Sequence, residues 1–109
     1  MIHLIEKKVT DQESAEMLEA LEVYIKLAVD VERRILAGGG SLHADCEAVL
    51  LENGSRQMDV WGADWFPNSE EVTFESLINI RPSQGNLSLE VQNTVLRTKI
   101  EDIVRAYFQ

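Results

Sequence analysis

EVYIKLAVDVERRILAGGG, residues 22–40, is the stretch on which the fold turns. Val, Ile and Tyr dominate it, the polar residues Asp30, Glu32, Arg33 and Arg34 interrupt its middle, and strand formers resume after them. That pattern predicts a strand, a tight turn and a second strand, because β-branched and aromatic side chains suit a pleated, half-buried surface. Gly38, Gly39 and Gly40 then allow backbone conformations closed to other residues, and they should end the second strand. A hairpin here makes antiparallel pairing the seed of the sheet.

Upstream, residues 1–6 read as a short strand. Thr10-Asp11-Gln12-Glu13 is an S/T-x-x-E capping box, in which two orphan amides of a first helical turn are satisfied reciprocally. It predicts a helix over residues 11–20, with Ala15, Met17, Leu18 and Leu21 toward the core and Glu13, Glu16 and Glu19 toward water. Downstream, Leu42 to Glu52 fits two periods: Leu42, Cys46, Val49 and Leu50 suit a helix, whereas Leu42, Ala44, Cys46, Ala48 and Leu50 alternate as in a strand. The helix is favoured by its Ala, Leu and Glu content and by Asn53-Gly54 as a stop; in a strand, Asn53-Gly54 would be a hairpin turn. Two further strands are expected, around Met58 to Trp65 and Val72 to Ile80, antiparallel and joined through Pro67-Asn68-Ser69. Leu96, Ile100, Ile103, Val104 and Tyr107 mark an amphipathic helix from about Thr94. The order is β-α-β-β-α-β-β-α. It describes one α+β domain over residues 1–109, an antiparallel sheet of four to five strands with two or three packed helices.

Composition narrows the function classes. A length of 109 residues with 45% hydrophobic and 27% charged side chains is that of one globular domain with a single useful core. The formal charge of −9 sets the chain against a phosphate backbone, so no nucleic-acid partner is expected. No apolar run approaches the roughly 20 residues a membrane-spanning helix needs, so no membrane partner is expected. Lys7 and Lys8 follow the apolar start instead of preceding it, unlike a secretory signal, and the expected location is cytoplasmic. Cys46 is the one cysteine; it can form neither an internal disulfide nor a thiol-rich metal site. No cofactor is expected.

The polar clusters between residues 38 and 86 supply the candidate site residues. Gly39 and Ser41, before a helix start, could turn amides toward an anion, although the lysine of a phosphate loop is missing; as plain structure they are a turn with Ser41 as cap. His43 and Asp45 could handle a proton. A helix carries His43 and Glu47 on one side and sends Asp45 away, whereas a strand would align all three; the spacing closes no metal ligand set, and no metal is expected. Cys46 falls on the apolar stripe and reads as a buried, inert thiol. Trp61 and Trp65, four apart on a strand, share a face that is core, subunit interface or ligand-stacking platform. Asn79, Arg81, Gln84 and Asn86 set a guanidinium among three amides, suited to a carboxylate or phosphate, or else to tying down the loop around Pro82 with Arg81 paired to Asp30, Glu32 or Asp45.

The run VDVERRILAGGGSLHAD, with LLENGSRQMDVWGADWFP and FESLINIRPSQGN, resembles a family of small bacterial and archaeal proteins of unknown function, over most of the chain. The resemblance implies a self-contained domain and carries no site assignment. From the residues themselves, the expected function is a non-enzymatic binding or protein-interaction module, a homodimer joined around Trp61 to Phe66. The alternative is a protein or enzyme for a small anionic ligand, built from the Gly38–Asp45 and Asn79–Asn86 segments, which requires His43 and Arg81 to converge. The residues do not decide between enzyme and binder.

Overall fold

The computed structural model describes residues 1–109. The hairpin at residues 22–40 is present: β2 (Ile25–Asp30) and β3 (Ile35–Gly40) pair antiparallel. Their turn is built by Asp30, whose Oδ1 accepts the amides of Glu32 at 3.0 Å and Arg33 at 2.9 Å, while Arg34 takes a positive φ of 56°. A short polar side chain bonding two residues ahead mimics a backbone turn, so four loop residues suffice. Around this hairpin the sheet runs β1-β3-β2-β4-β5, with β1 (His3–Ile5), β4 (Val60–Phe66) and β5 (Glu71–Thr73). Every pairing is antiparallel. β2 is the centre, matched residue by residue with β4 from Ile25↔Trp65 to Asp30↔Val60. The α+β fold with a five-stranded antiparallel sheet and three helices is as expected from the sequence.

Alternation along the strands assigns the two faces of the sheet. Leu27, Val29, Leu36, Trp61 and Trp65 face α1 (Asp11–Met17) and α3 (Thr94–Phe108), which contribute Met17, Ile100, Ile103 and Val104 to the larger core. Ala28, Ile35, Ala37 and Val60 face α2 (His43–Glu52), which contributes Cys46 and Leu50 to a smaller one. The sheet is therefore covered on both sides, and α2, with the segment around Ser76 and Ile78 packed over Gly62, covers the side that carries the polar residues Lys26 and Asp64.

Several expected boundaries move. Residues 42–52 are helical, with His43 as the first residue and Leu42, not Ser41, in the cap position. The first helix stops at Met17 instead of residue 20, and Ala15 lies on its exposed side. Its capping box is complete, Thr10 accepting from the Glu13 amide at 3.1 Å and Glu13 accepting from the Thr10 amide at 2.9 Å. β4 opens at Val60, after a 3-10 turn over Gln57–Asp59.

β3 ends with the glycine run, as expected, Gly38, Gly39 and Gly40 being its last three residues. Their lack of side chains serves packing. A Cβ on Gly38 would stand 2.6 Å from Leu27 Cδ2, and one on Gly39 would stand 2.2 Å from the Met1 carbonyl and 3.0 Å from Met17. Gly39 also adopts a φ of 105°.

The strand expected over residues 72–80 ends at Thr73. Beyond it the amide side chain of Asn79 occupies the place of a strand neighbour beside β4. It accepts from the Gly62 amide at 2.8 Å and donates to the carbonyls of Gly62 and Phe74, both at 3.0 Å. Backbone pairing there is replaced by one buried side chain, which lets the chain turn through a 3-10 segment at Leu77–Asn79.

Gly39→Ala is expected to lower unfolding stability by about 2–4 kcal/mol, since it combines a left-handed backbone with a backbone clash. Urea denaturation of the variant against the parent measures it.

Candidate functional site

The polar residues on the α2 side of the sheet form one row. Lys26 on β2 is the register partner of Asp64 on β4, and Asp64 is the partner of Thr73 on β5. His43, leading α2, reaches into this row. Its Nε2 lies 2.8 Å from Asp64 Oδ1 and 3.2 Å from the Ala63 carbonyl oxygen. A carbonyl can only accept, so Nε2 carries the proton and donates to both oxygens. The second carboxylate oxygen of Asp64 accepts from Thr73 Oγ1 at 2.8 Å. The side chains of His43 and Asp64 are only 11% and 9% exposed, so this chain of bonds sits where polar pairing is strong and hard to leave unmade.

In the neutral ring, a proton on Nε2 leaves Nδ1 as an acceptor. It makes no hydrogen bond, yet Asp30 Oδ2 is the one sealed side-chain nitrogen or oxygen without a partner, so Nδ1 keeps access to solvent. His43 lines a cleft of about 580 Å³ that spans the start of α2, the row Lys26-Asp64-Thr73, and the bridged segments at residues 75–76 and 89–90. Tyr24 and Phe66, stacked with ring centroids 4.9 Å apart, form one wall. Leu42, Leu77 and Leu89 line the cleft while exposing 58%, 78% and 38% of their surface. Apolar walls around a small number of placed polar groups are the ordinary makeup of a small-molecule site.

Of the residues the sequence singles out, His43 alone reaches this cleft. Gly39 is packed against Met17, Ser41 is exposed and offers its carbonyl to Lys26 Nζ at 3.1 Å, and Asp45 is exposed in the first turn of α2. Trp61 is 4% exposed and Trp65 3%, so the aromatic face is core. Cys46 is buried, and desolvation pushes its thiol up to about 11, the reverse of what a nucleophile needs. No group of three or more His, Cys, Asp or Glu side chains is arranged to hold a metal ion.

Asn79, Arg81, Gln84 and Asn86 do converge, on backbone instead of ligand. Arg81 lies over the Trp61 ring, 4.6 Å from its centroid. Its Nε donates to the Ile78 carbonyl, one terminal nitrogen to Gln57 O and Gln84 Oε1, and the other to Val60 O and Glu47 Oε2. Five N–H groups meet five acceptors, and a guanidinium has no sixth. The partner is Glu47, not Asp30, Glu32 or Asp45. Gln84 donates to the Met58 carbonyl at 2.9 Å, and Asn86 donates to the carbonyls of Asn79, Ser88 and Glu90 while accepting from the Gln92 amide. His43 and Glu47 sit one turn apart on α2, but Glu47 and Arg81 line a separate cleft of about 610 Å³, and Arg81 has no donor left for an anion.

A family model described as "Protein of unknown function (DUF5674)" matches residues 3–107. The chain belongs to this family. No curated protein and no solved structure matches the DUF5674 chain. None of its helices is long and apolar enough to cross a membrane.

Asp64, Thr73 and Lys26 were not singled out from the sequence. A signal for Asp64 was present: with Trp61, Ala63 and Trp65 on one face of a strand, Asp64 must lie on the other, and a carboxylate in so apolar a run needs a partner.

Burial raises the Glu47 carboxyl above its ordinary range against the pull of Arg81, and burial lowers Arg81. The folded carboxyl thus holds its proton more tightly than an unfolded one, so ionising it costs stability as pH rises through the carboxylate range. Glu47→Gln is expected to change stability at pH 7 by no more than about 1 kcal/mol, while Arg81→Met, which orphans several buried acceptors, is expected to cost about 3–5 kcal/mol. Denaturant titrations of the two variants at pH 7 provide the comparison. For His43, nitrogen-15 NMR of the neutral ring is expected to show the Nε2–H tautomer, and Asp64→Asn to erode that preference.

Proposed function

We propose that this DUF5674 domain binds a small molecule in the His43 cleft, an apolar body lying against Tyr24 and Phe66 and a hydrogen-bond donor meeting His43 Nδ1. The observation that carries this reading is the bonding of His43: Asp64 and the Ala63 carbonyl hold the Nε2 proton, which in the neutral ring leaves Nδ1 an acceptor without a partner, on a largely buried side chain that lines the cleft. A free buried-ring acceptor is what a donor-bearing ligand would satisfy at little reorganisation. The exposed leucines add a driving force, since burying such a side chain fully is worth about 1.5–3 kcal/mol. Ligand binding as such agrees with the broad expectation of a binding module. The supporting surface is the leucine-rimmed cleft, because Trp61 and Trp65 lie inside the fold.

With 2-phenylethanol as probe, amide shifts in a proton–nitrogen NMR titration are expected to concentrate at residues 24–26, 43–44, 64–66 and 73–76. His43→Phe, which keeps the ring and removes the acceptor, is expected to weaken binding at least fivefold. Shifts scattered over the surface, or none up to 10 mM probe, would refute the reading.

A further inference from the structure

Two carboxylates at the mouth of the cleft have no counter-charge. Glu75 and Glu90 are opposed across an antiparallel bridge, flanked by the bonds from the Ser76 amide to the Leu89 carbonyl at 3.0 Å and from the Val91 amide to the Phe74 carbonyl at 3.1 Å. That pattern makes them a non-hydrogen-bonded pair, the geometry in which facing side chains come closest, and like charges so placed are destabilising. Neither takes part in an ion pair with any of the chain's cations: the salt bridges use Glu16, Glu19, Glu47, Asp59, Asp64 and Glu101. Both line the cleft that His43 lines.

We infer that the cleft is selective for a primary ammonium carried on an apolar body, held between Glu75 and Glu90 with its carbon skeleton along Tyr24 and Phe66; this rests on the His43 cleft being the ligand site. Formal charges on the lining residues are one positive, Lys26, against three negative, Asp64, Glu75 and Glu90, with histidine counted as neutral. Lys26 spends one of its donors on the Ser41 carbonyl and pairs with no carboxylate. An anion would meet this negative field and, at Arg81, a guanidinium whose donors are all taken. An ammonium finds two unpaired carboxylates, the acceptor Nδ1 and a stacked aromatic pair whose faces attract cations. The chain's net charge of −9 steers encounter in the same direction. The ammonium could be that of a free amine or of a lysine side chain on a peptide, since the recognising chemistry is shared.

Three probes with one phenyl body separate the charge preference from binding itself: 2-phenylethylamine, 2-phenylethanol and 3-phenylpropionate, titrated by NMR at pH 7.5 and 150 mM salt, with acetyl-lysyl-leucine amide as the peptide source. The amine or the lysine peptide is expected to bind at least tenfold tighter than the alcohol, and the carboxylate weaker than the alcohol. In the Glu75→Gln/Glu90→Gln double variant the ratio of amine to alcohol affinity should fall to about one. The variant should also melt no lower than the parent, because it relieves a like-charge pair. Equal binding of amine and alcohol, tighter binding of the carboxylate, or an unchanged amine advantage in the variant would overturn the ammonium assignment and leave the cleft standing. Binding by none of the probes up to 10 mM would overturn both.

Discussion

The ladder between β2 and β4 is the constraint on which the rest of the molecule depends. It joins the centre of the sheet over six consecutive register pairs, from Ile25↔Trp65 to Asp30↔Val60, and it contributes apolar side chains to a core on each face. A strand pair buried on both faces cannot stand without layers on each side, which is why the chain sends α1 and α3 to one face and α2 to the other. The small residues Ala28, Ala37 and Gly62 on the second face let α2 and the Leu77–Asn79 turn come close. A Cβ on Gly62 would stand 2.5 Å from Ser76 Cβ. At the end of the ladder where Lys26 and Asp64 pair, the face turns polar, and His43 is the first helical residue to meet it.

Much of the polar chemistry in the second half of the chain maintains backbone. Asn79 replaces a strand, Arg81 gathers carbonyls from three segments, and Asn86 holds a loop by three carbonyls and an amide. Such side chains let residues 74–93 remain compact with little regular structure, since every buried carbonyl or amide they reach would otherwise carry a desolvation cost. The same residues are therefore poor candidates for catalysis, however suggestive their types.

The architecture was legible in the sequence wherever one local signal dominated. The turn around Asp30, the capping box at Thr10 and the 3.6-residue period after Thr94 each place an element within a few residues of where it lies. Less legible was a residue type with two uses. Gly38 to Gly40 read as a source of backbone freedom at the end of a strand, and Gly39 uses it at a φ of 105°, but the close approach of Leu27, Met1 and Met17 excludes side chains there as well. The run Val72–Ile80 is rich in strand formers, yet Asn79 captures the edge of β4 through its side chain, which no propensity records. At the site, His43 could be named from its type and position. Its partners could not be joined to it, because Asp64 lies 21 residues away and the contact exists only once α2 lies across the sheet.

The placement of α2 also sets an order of assembly. β2 and β3 close through a four-residue turn stabilised by its own aspartate, a local event with a small entropic cost. β4 must then return to the opposite side of β2, carrying α2 over the sheet as it does so. The bond between His43 and Asp64 spans exactly that return journey and cannot form before the crossover is complete. A chain halted after its first hairpin would therefore have a strand pair and no cleft, because the cleft's walls meet only once α2 and β4 are in place.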